Sequence, residues 1–410
     1  MRFRSKSLLA FLALVFISSN LLVAYNSPMG KAQAGTSVNG IIYSDTTWTQ
    51  ANSPYSLTAN VLVENGVTLT ITAGVTVNLN SYYIMVNGTL QTLAATDADI
   101  TFVGGTIIFT QYSAAGNTSQ GCIMQDVTYN PGTYGSGSIF VDGGSPLILD
   151  CNLGVGITYD GGSPVISNNN MTAAGFTDGY GRLQYPIAAV DLEGGTIQPG
   201  TAFIENNVIS GPYFTASIII FGSNCFAEGN LITENRQGVG ISVTSGWVTN
   251  FSNNTVTFCG QAISARGYFG TFAYNNLQNN TYNVYLTGPN SLGSIANLNA
   301  TYNWWGTTDS QAISQTIHDF YSDYTLATVY FTPFLTAPNP QAPSVNEVVT
   351  NPTPTPTQSP SQNPTKIPTQ TPTTTTAVPE LSLLAIVPLF LSVFSVAVIL
   401  RHRKAVKLKQ

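Results

Sequence analysis

Charge is what this chain has least of. Only 8% of its 410 residues are Asp, Glu, Lys or Arg, against about a quarter in an ordinary globular domain. Between Gly35 and Val378 the cations are Arg182, Arg236, Arg266 and Lys366, facing 18 of the 19 acids for a net of −14. A surface of that sign excludes nucleic acid as a partner. His318 is the sole histidine in that span and Lys366 the sole lysine. A histidine-based triad, a multi-histidine metal site and a lysine Schiff base are therefore excluded. Met85, Met124 and Met171 are too few and too scattered to form a copper-binding cluster, and Cys122, Cys151, Cys225 and Cys259 match no zinc spacing.

What the chain does have is a recurring phrase. It reads Ser167-Asn168-Asn169-Asn170-Met171, then Glu205-Asn206-Asn207-Val208-Ile209, then Glu228-Gly229-Asn230-Leu231-Ile232. It returns at Ser252-Asn253-Asn254-Thr255-Val256, Tyr274-Asn275-Asn276-Leu277 and Tyr302-Asn303-Trp304-Trp305. Counted from Asn207 through Asn230, Asn254, Asn276 and Asn303, the intervals are 23, 24, 22 and 27 residues. A period of that length means a stacked array. Between the asparagines lie short β-rich runs such as Ser217–Phe221, Gly240–Val243 and Asn283–Leu286, with no room for a ten-residue amphipathic helix. An all-strand unit that stacks on its own copies is a coil of a parallel β-helix. Asparagine suits the turns because it tolerates left-handed backbone angles and its amide can bond to the amide of the next coil.

Glycine corners form a second series, at Asn65-Gly66, Asn87-Gly88, Gly104-Gly105, Asp142-Gly143-Gly144, Asp160-Gly161-Gly162 and Glu193-Gly194-Gly195. The Asp-Gly-Gly-Ser-Pro lines beginning at Asp142 and Asp160 are near copies, 18 residues apart. With the asparagine phrases and the closing Tyr302-Asn303-Trp304-Trp305-Gly306, these lines resemble right-handed parallel β-helix repeat proteins of the pectate-lyase-like superfamily, including its non-enzymatic cell-surface members in archaea. The resemblance spans residues 55–335. It implies an all-β, right-handed parallel β-helix solenoid over 61–305, and this scaffold hosts lyases, hydrolases, adhesins and binding proteins. The polygalacturonase-type Asn-Thr-Asp, Asp-Asp, Gly-His-Gly and Arg-Ile-Lys patterns are missing, and so is the arginine motif of the pectate lyases. In such a stack the four cysteines need not pair, and unpaired core thiols are the preferred reading.

An N-terminal cap is expected over 35–60, where Ile41, Ile42 and Trp48 would cover the first coil. A C-terminal cap is expected over 306–337, with Trp304-Trp305, a short helix starting at Asp309 or Ser310 that places Ile313, Ile317 and Phe320 on one face, and a last strand at Val329–Phe331. Residues 1–34 read as a secretory signal: Arg2, Arg4 and Lys6, an apolar run from Leu8 to Ala24, and Ala32-Gln33-Ala34 at the cleavage point. The alternative is an uncleaved anchor. Residues 338–378 are a Pro/Thr-rich linker, read as a disordered, extended stalk. Within 379–410, Leu381–Leu400 is a charge-free span of 20 residues followed by Arg401-His402-Arg403-Lys404. That reads as a single transmembrane helix with a basic cytoplasmic tail, or as a C-terminal sorting signal that is processed. The expected location is the cell surface with the solenoid outside. Seven Asn-X-Ser/Thr sequons, at Asn87, Asn117, Asn170, Asn250, Asn253, Asn279 and Asn299, allow glycosylation of an exported chain.

Two groups of residues are candidates for a site. The interval from Asn170 to Asn207 is 37 residues, longer than the local period, so a loop is expected near Ala173–Pro186. It would carry Asp178, Tyr180, Arg182 and Tyr185 over Asp191 and Glu193, aromatic faces with carboxylates that suit sugar hydroxyls. In an enzyme, Asp191, Glu193 and Arg182 would be the catalytic set. Asp142, Asp160 and Glu193 hold equivalent corners in neighbouring coils and are candidate calcium ligands; otherwise each caps its own turn. The functional expectation is non-catalytic binding of polysaccharide or a neighbouring envelope component. A polysaccharide lyase or glycoside hydrolase and a purely structural envelope protein are the alternatives.

Overall fold

The structure, a computed structural model, describes residues 35–345 apart from 95–99, 118, 133–136, 173–175, 178–182, 185–189, 194–199, 212–213, 222–223, 246–248, 267–269 and 289–296. It is a parallel β-solenoid of about nine turns with almost no helix, as the repeat predicts. One coil shows how sequence makes the unit. Thr201–Glu205 runs along the first face, Asn206 and Asn207 turn the chain, Val208–Ser210 forms a short second face, and Ala216–Phe221 forms a longer third face. Asn224–Glu228 then begins the next coil directly over Thr201–Glu205, Ala202 beside Cys225 and Ile204 beside Ala227. First-face strands build a ten-stranded sheet, and the other two faces merge into a nineteen-stranded one.

Alternation puts one side chain in two inside, and the inward residues stack in files. One file runs from Val61 through Ile84, Ile107, Ile139 and Ile157 to Val190. It continues through Ile218, Ile241, Ile263 and Val284 to Ile317. Every member is β-branched, the shape that packs best on a pleated surface.

Early coils differ from late ones. Tyr55–Val63, Thr76–Val86 and Ile100–Thr110 each span the second and third faces as one bent strand. The bend falls where Asn80 lies opposite Gly104, both with positive φ (57° and 66°). From Val127 onward each such strand is split in two by a corner. Tyr129 fills the first split, its hydroxyl donating to the Gly105 carbonyl at 2.8 Å. The repeated Asp-Gly-Gly-Ser-Pro lines stack as corners: Ser163 N–H donates to Ser145 Oγ at 2.9 Å, and a Cβ on Gly162 would lie 1.8 Å from the Gly144 carbonyl oxygen. Only glycine fits that approach.

The stretch expected as an N-terminal cap is itself wound into the stack. Thr36–Ile42 pairs with the strand beginning at Tyr55, Thr46–Trp48 pairs with Thr68–Thr72, and Trp48 stacks on Tyr55 at 4.8 Å. At the other end α1 (Ser310–Gln315) is capped by Asp309, whose carboxylate accepts from Gln311 N–H at 2.9 Å. The helix stops sooner than the apolar spacing suggests. Ile313 is fully buried, but Ile317 joins the solenoid beside Val284 and Phe320 faces solvent. Trp305 is buried with Phe331 edge-on at 6.1 Å, and the last strand is Val329–Tyr330. No helix among the described residues is long and apolar enough to cross a membrane. The signal stretch 1–34, the linker beyond 345 and the Leu381–Leu400 span lie outside the described residues.

Candidate functional site

The asparagine turn divides its work between two adjacent positions. Asn168, Asn206, Asn253, Tyr274 and Tyr302 take the left-handed conformation, with Gly229 at the same place in its coil. The residue that follows points inward. Asn169, Asn207, Asn230, Asn254, Asn275 and Asn303 are all essentially fully buried. Each Nδ2 donates to the Oδ1 of the next asparagine, at 3.0, 3.0, 2.9, 3.1 and 3.0 Å in order. Each Oδ1 also accepts the main-chain N–H of the coil before, and each Nδ2 reaches back to a carbonyl such as Ile204 from Asn230 at 2.8 Å. Every ladder Nδ2 has acceptors and every Oδ1 from Asn207 to Asn303 accepts twice, as a buried polar column requires, while Asn169 Oδ1 at the end of the file accepts once, from Cys151 N–H. The spacing corrects one expectation: the ladder residue of its coil is Asn275, not Asn276, so the last two intervals are 21 and 28 residues. Asn276 instead faces outward.

Cys151 continues the ladder without an amide. Its N–H donates to Asn169 Oδ1 at 2.9 Å, and its thiol donates to the Leu149 and Met124 carbonyls at 3.0 and 3.5 Å. Those carbonyls occupy the places that Asn230 Nδ2 reaches at Glu228 and Ile204. All four cysteines are buried and unpaired. Burial pushes the thiols up, Cys122 to about 11 and Cys151 and Cys259 to about 12, so none is a nucleophile at neutral pH.

On the outside of this turn the second face carries a file of outward side chains: Thr128, Asn152, Asn170, Val208, Leu231, Thr255 and Asn276. Residues 335–345, placed in part with the linker by composition, run back along it as a strap. Leu335 N–H donates to the Asn303 carbonyl at 3.0 Å. Asn339 and Asn276 bond reciprocally, N–H to Oδ1 at 2.7 Å and Nδ2 to the carbonyl at 3.2 Å. Asn339 Nδ2 also donates to Asn253 Oδ1 at 2.9 Å, and Thr255 Oγ1 donates to the Pro343 carbonyl at 2.6 Å. Beyond Ser344 the face opens into a groove of about 340 Å³, walled by Asn168, Asn170 and Asn206 and floored by Val208 and Leu231. Among the described residues no charged side chain lines it.

The residues expected to form a site are placed as follows. Asp142 ends the strand Gly137–Asp142 and Asp160 follows Tyr159, which pairs with Val141, so the two carboxylates occupy successive coils. Leu192 pairs with Tyr159 in turn, which sets the Glu193 backbone in the same file. Burial, and then the neighbouring Asp160 carboxylate, raise Asp142 above the usual carboxylate range. One Asp160 carboxylate oxygen is buried with no hydrogen-bond partner. Among the described residues no three His, Cys, Asp or Glu side chains stand where they could hold a metal ion. Asp191 lies on the third face, its backbone beside Thr158 and Ile219, and the side chains of Asp191 and Glu193 are outside the described set. The expected loop is there as an antiparallel pair, Phe176 with Gln184 and Thr177 with Leu183. Asp178, Tyr180, Arg182 and Tyr185 lie outside the described residues. Of the remaining titratable side chains, Arg236 is paired with Glu234 at 3.0 Å over the Phe258 ring, and His318 stacks on Tyr285 at 4.2 Å.

Sequence reasoning took the outer asparagines for ladder members and missed the groove and the strap. The parity of the turn held the signal: in an Asn-Asn-X phrase, the neighbours of an inward residue face out. Fold and turn together define a parallel β-solenoid repeat protein. No family model matches the chain, and no curated protein or solved structure is significantly similar to it.

Proposed function

We propose that this is an exported cell-surface solenoid, right-handed like the proteins it resembles, that binds polysaccharide or a neighbouring envelope component without catalysis, and that it is anchored through Leu381–Leu400. The reading is carried by the regular exterior of the stack. A rigid core of paired amides and β-branched files holds outward side chains at one-coil intervals of about 4.8 Å. An extended polymer can be held along such a surface, and the strap is one already bound there by Asn276, Asn253 and Thr255. The scarcity of general acids, bases and nucleophiles in the sequence points the same way.

The experiment is a glycan array, neutral and acidic, probed with the full chain. Binding to at least one polysaccharide class is expected, and loss of about tenfold or more for an acidic ligand in the combined Asp178→Ala, Tyr180→Ala, Tyr185→Ala variant would place acidic recognition at the 173–186 loop. Undiminished acidic binding sinks that loop as a site. One observation keeps an enzyme in view: the loop pair Phe176–Thr177 and Leu183–Gln184 precedes the Val190–Glu193 strand within a single coil. Product release from a uronate polysaccharide, lost in Glu193→Gln, would replace binding by lyase or hydrolase chemistry with Asp191, Glu193 and Arg182.

A further inference from the structure

We infer that the groove beyond Ser344 is a subsite for an unbranched, neutral polysaccharide chain, held by the amides of Asn168, Asn170 and Asn206 over Val208. This rests on the polysaccharide reading above and adds to it a location, a charge class and a recognition chemistry.

The strap shows how this face grips a chain. Asn276 gives and takes hydrogen bonds with an extended segment, and one coil further on Asn253 accepts from it and Thr255 donates to it. Two and three coils before Asn253, past Gly229, the same files present Asn206 and Asn168, both exposed, where Asn253 stands in the strapped coil. They also present Val208 and the exposed Asn170 where Thr255 and Asn276 stand. Within the described residues the strap reaches the edge of this second set at Pro343 and Ser344, which line the groove. Its volume of about 340 Å³ falls at the small end of the range of about 300–1,000 Å³ found for small-molecule sites.

The lining selects the ligand class. A primary amide offers two donors and a carbonyl acceptor, which matches hydroxyl groups that both give and accept. Asn170 spends one amide hydrogen on Asn152 Oδ1, at a long 3.4 Å. The branched side chain of Val208 and the floor at Leu231 offer an apolar surface to the C–H side of a sugar ring. Among the described residues no cation lines the groove, and the Glu228 carboxylate that accepts from Asn253 Nδ2 at 2.7 Å stands on the adjoining file. A uronate or sulfated chain would meet unscreened negative charge there, and a neutral one would not.

The test is isothermal titration of the full chain with neutral hexasaccharides, β-1,4-glucan, α-1,4-glucan and β-1,4-mannan, beside oligogalacturonate. The informative variant is Asn168→Gly, Asn170→Ala, Asn206→Gly together. Gly229 already serves the left-handed position between Asn206 and Asn253, so glycine removes the two amides without straining the turn. Binding of one neutral hexasaccharide by the parent, weakened about tenfold or more in the variant, is expected, since each neutral hydrogen bond is worth roughly a two- to tenfold change. A second variant, Val208→Trp, fills the groove from its floor and should abolish the same binding. Neutral binding unchanged in both folded variants overturns the assignment. So does parent binding confined to oligogalacturonate, an outcome that leaves the broader polysaccharide reading standing, whereas no glycan binding at all removes both. Neutral binding that appears only when the chain is stopped after Ser344 assigns the groove to the downstream residues and also overturns it.

Discussion

Asn230 does five things at once. Its Oδ1 accepts from the main-chain and side-chain nitrogens of Asn207, and its Nδ2 donates to the carbonyls of Ile204 and Glu228 and to Asn254 Oδ1. Truncation to alanine strands buried donors and acceptors on both neighbouring coils, each costing about 1–3 kcal/mol. Asn230→Ala should therefore lower stability by about 3–5 kcal/mol, read as a shifted midpoint in urea. Cys151 supplies the matched experiment. Its thiol reaches the right carbonyls but leaves Asn169 Oδ1 with a single donor, the Cys151 N–H. Cys151→Asn should extend the ladder by one amide and raise stability by about 1 kcal/mol. An equal or lower midpoint in that variant would show that the file ends at Asn169 for steric reasons. The recurrence of asparagine was legible in the sequence because every coil needs the same amide in the same place. Which asparagine of a pair turns inward was not, since Asn275 and Asn276 differ only in parity and the preceding positive φ falls on Tyr274.

Elements were legible where the sequence repeats and obscure where it does not. The late coils, split by a corner, announce themselves by an asparagine phrase. The early coils bend through Asn80 and Gly104 within a single strand, so their second face carries no phrase of its own. The strap has Pro338, Pro340 and Pro343 and no periodicity, which reads as linker, yet Asn339 and Ala342 are buried against the solenoid. The Asp142 and Asp160 corners were legible as copies, and here register has an electrostatic consequence. Burial and Asp160 favour the protonated form of Asp142 in the folded chain. A carboxyl raised on folding contributes stability that is fully present below its unfolded value, about 3.9, and is lost as pH rises through the folded one. At pH 7 the pair is thus a source of repulsion. Asp142→Asn should melt higher than the parent at pH 7, with the gap closing toward pH 3; a variant melting lower at pH 7 would mean that the charge is used. Repeating the pair of melts in millimolar calcium tests the cation reading directly, because only the parent would then gain.

At the scale of the molecule each coil stacks only on its two neighbours, the strap alone crossing several of them, so stability is close to a sum over coils and interfaces, and either end needs its own cover. Such a stack should survive losing a whole coil, provided the cut joins equivalent positions. Deleting Val208–Asn230 does so, because Asn207 and Asn230 are successive ladder residues 23 apart. In the shortened chain Asn207 would meet Asn254, Met171 would meet Ile232 in place of Ile209, and Val190 would meet Ile241 in place of Ile218. Each junction replaces a neighbour by one of the same kind, and the α1 end and the first coil are untouched. The protein should keep the parent's solubility and oligomeric state, with unchanged β-type circular dichroism per residue and a cooperative melt. It should also lose neutral-glycan binding, since the deletion removes Val208 and Gly229 from the groove while leaving the 173–186 loop in place. Aggregation or loss of β structure would mean that coupling along the stack reaches beyond adjacent coils. The regular exterior would then be a by-product of one global fold, and the case for reading each outward file as an independent binding surface would fall with it.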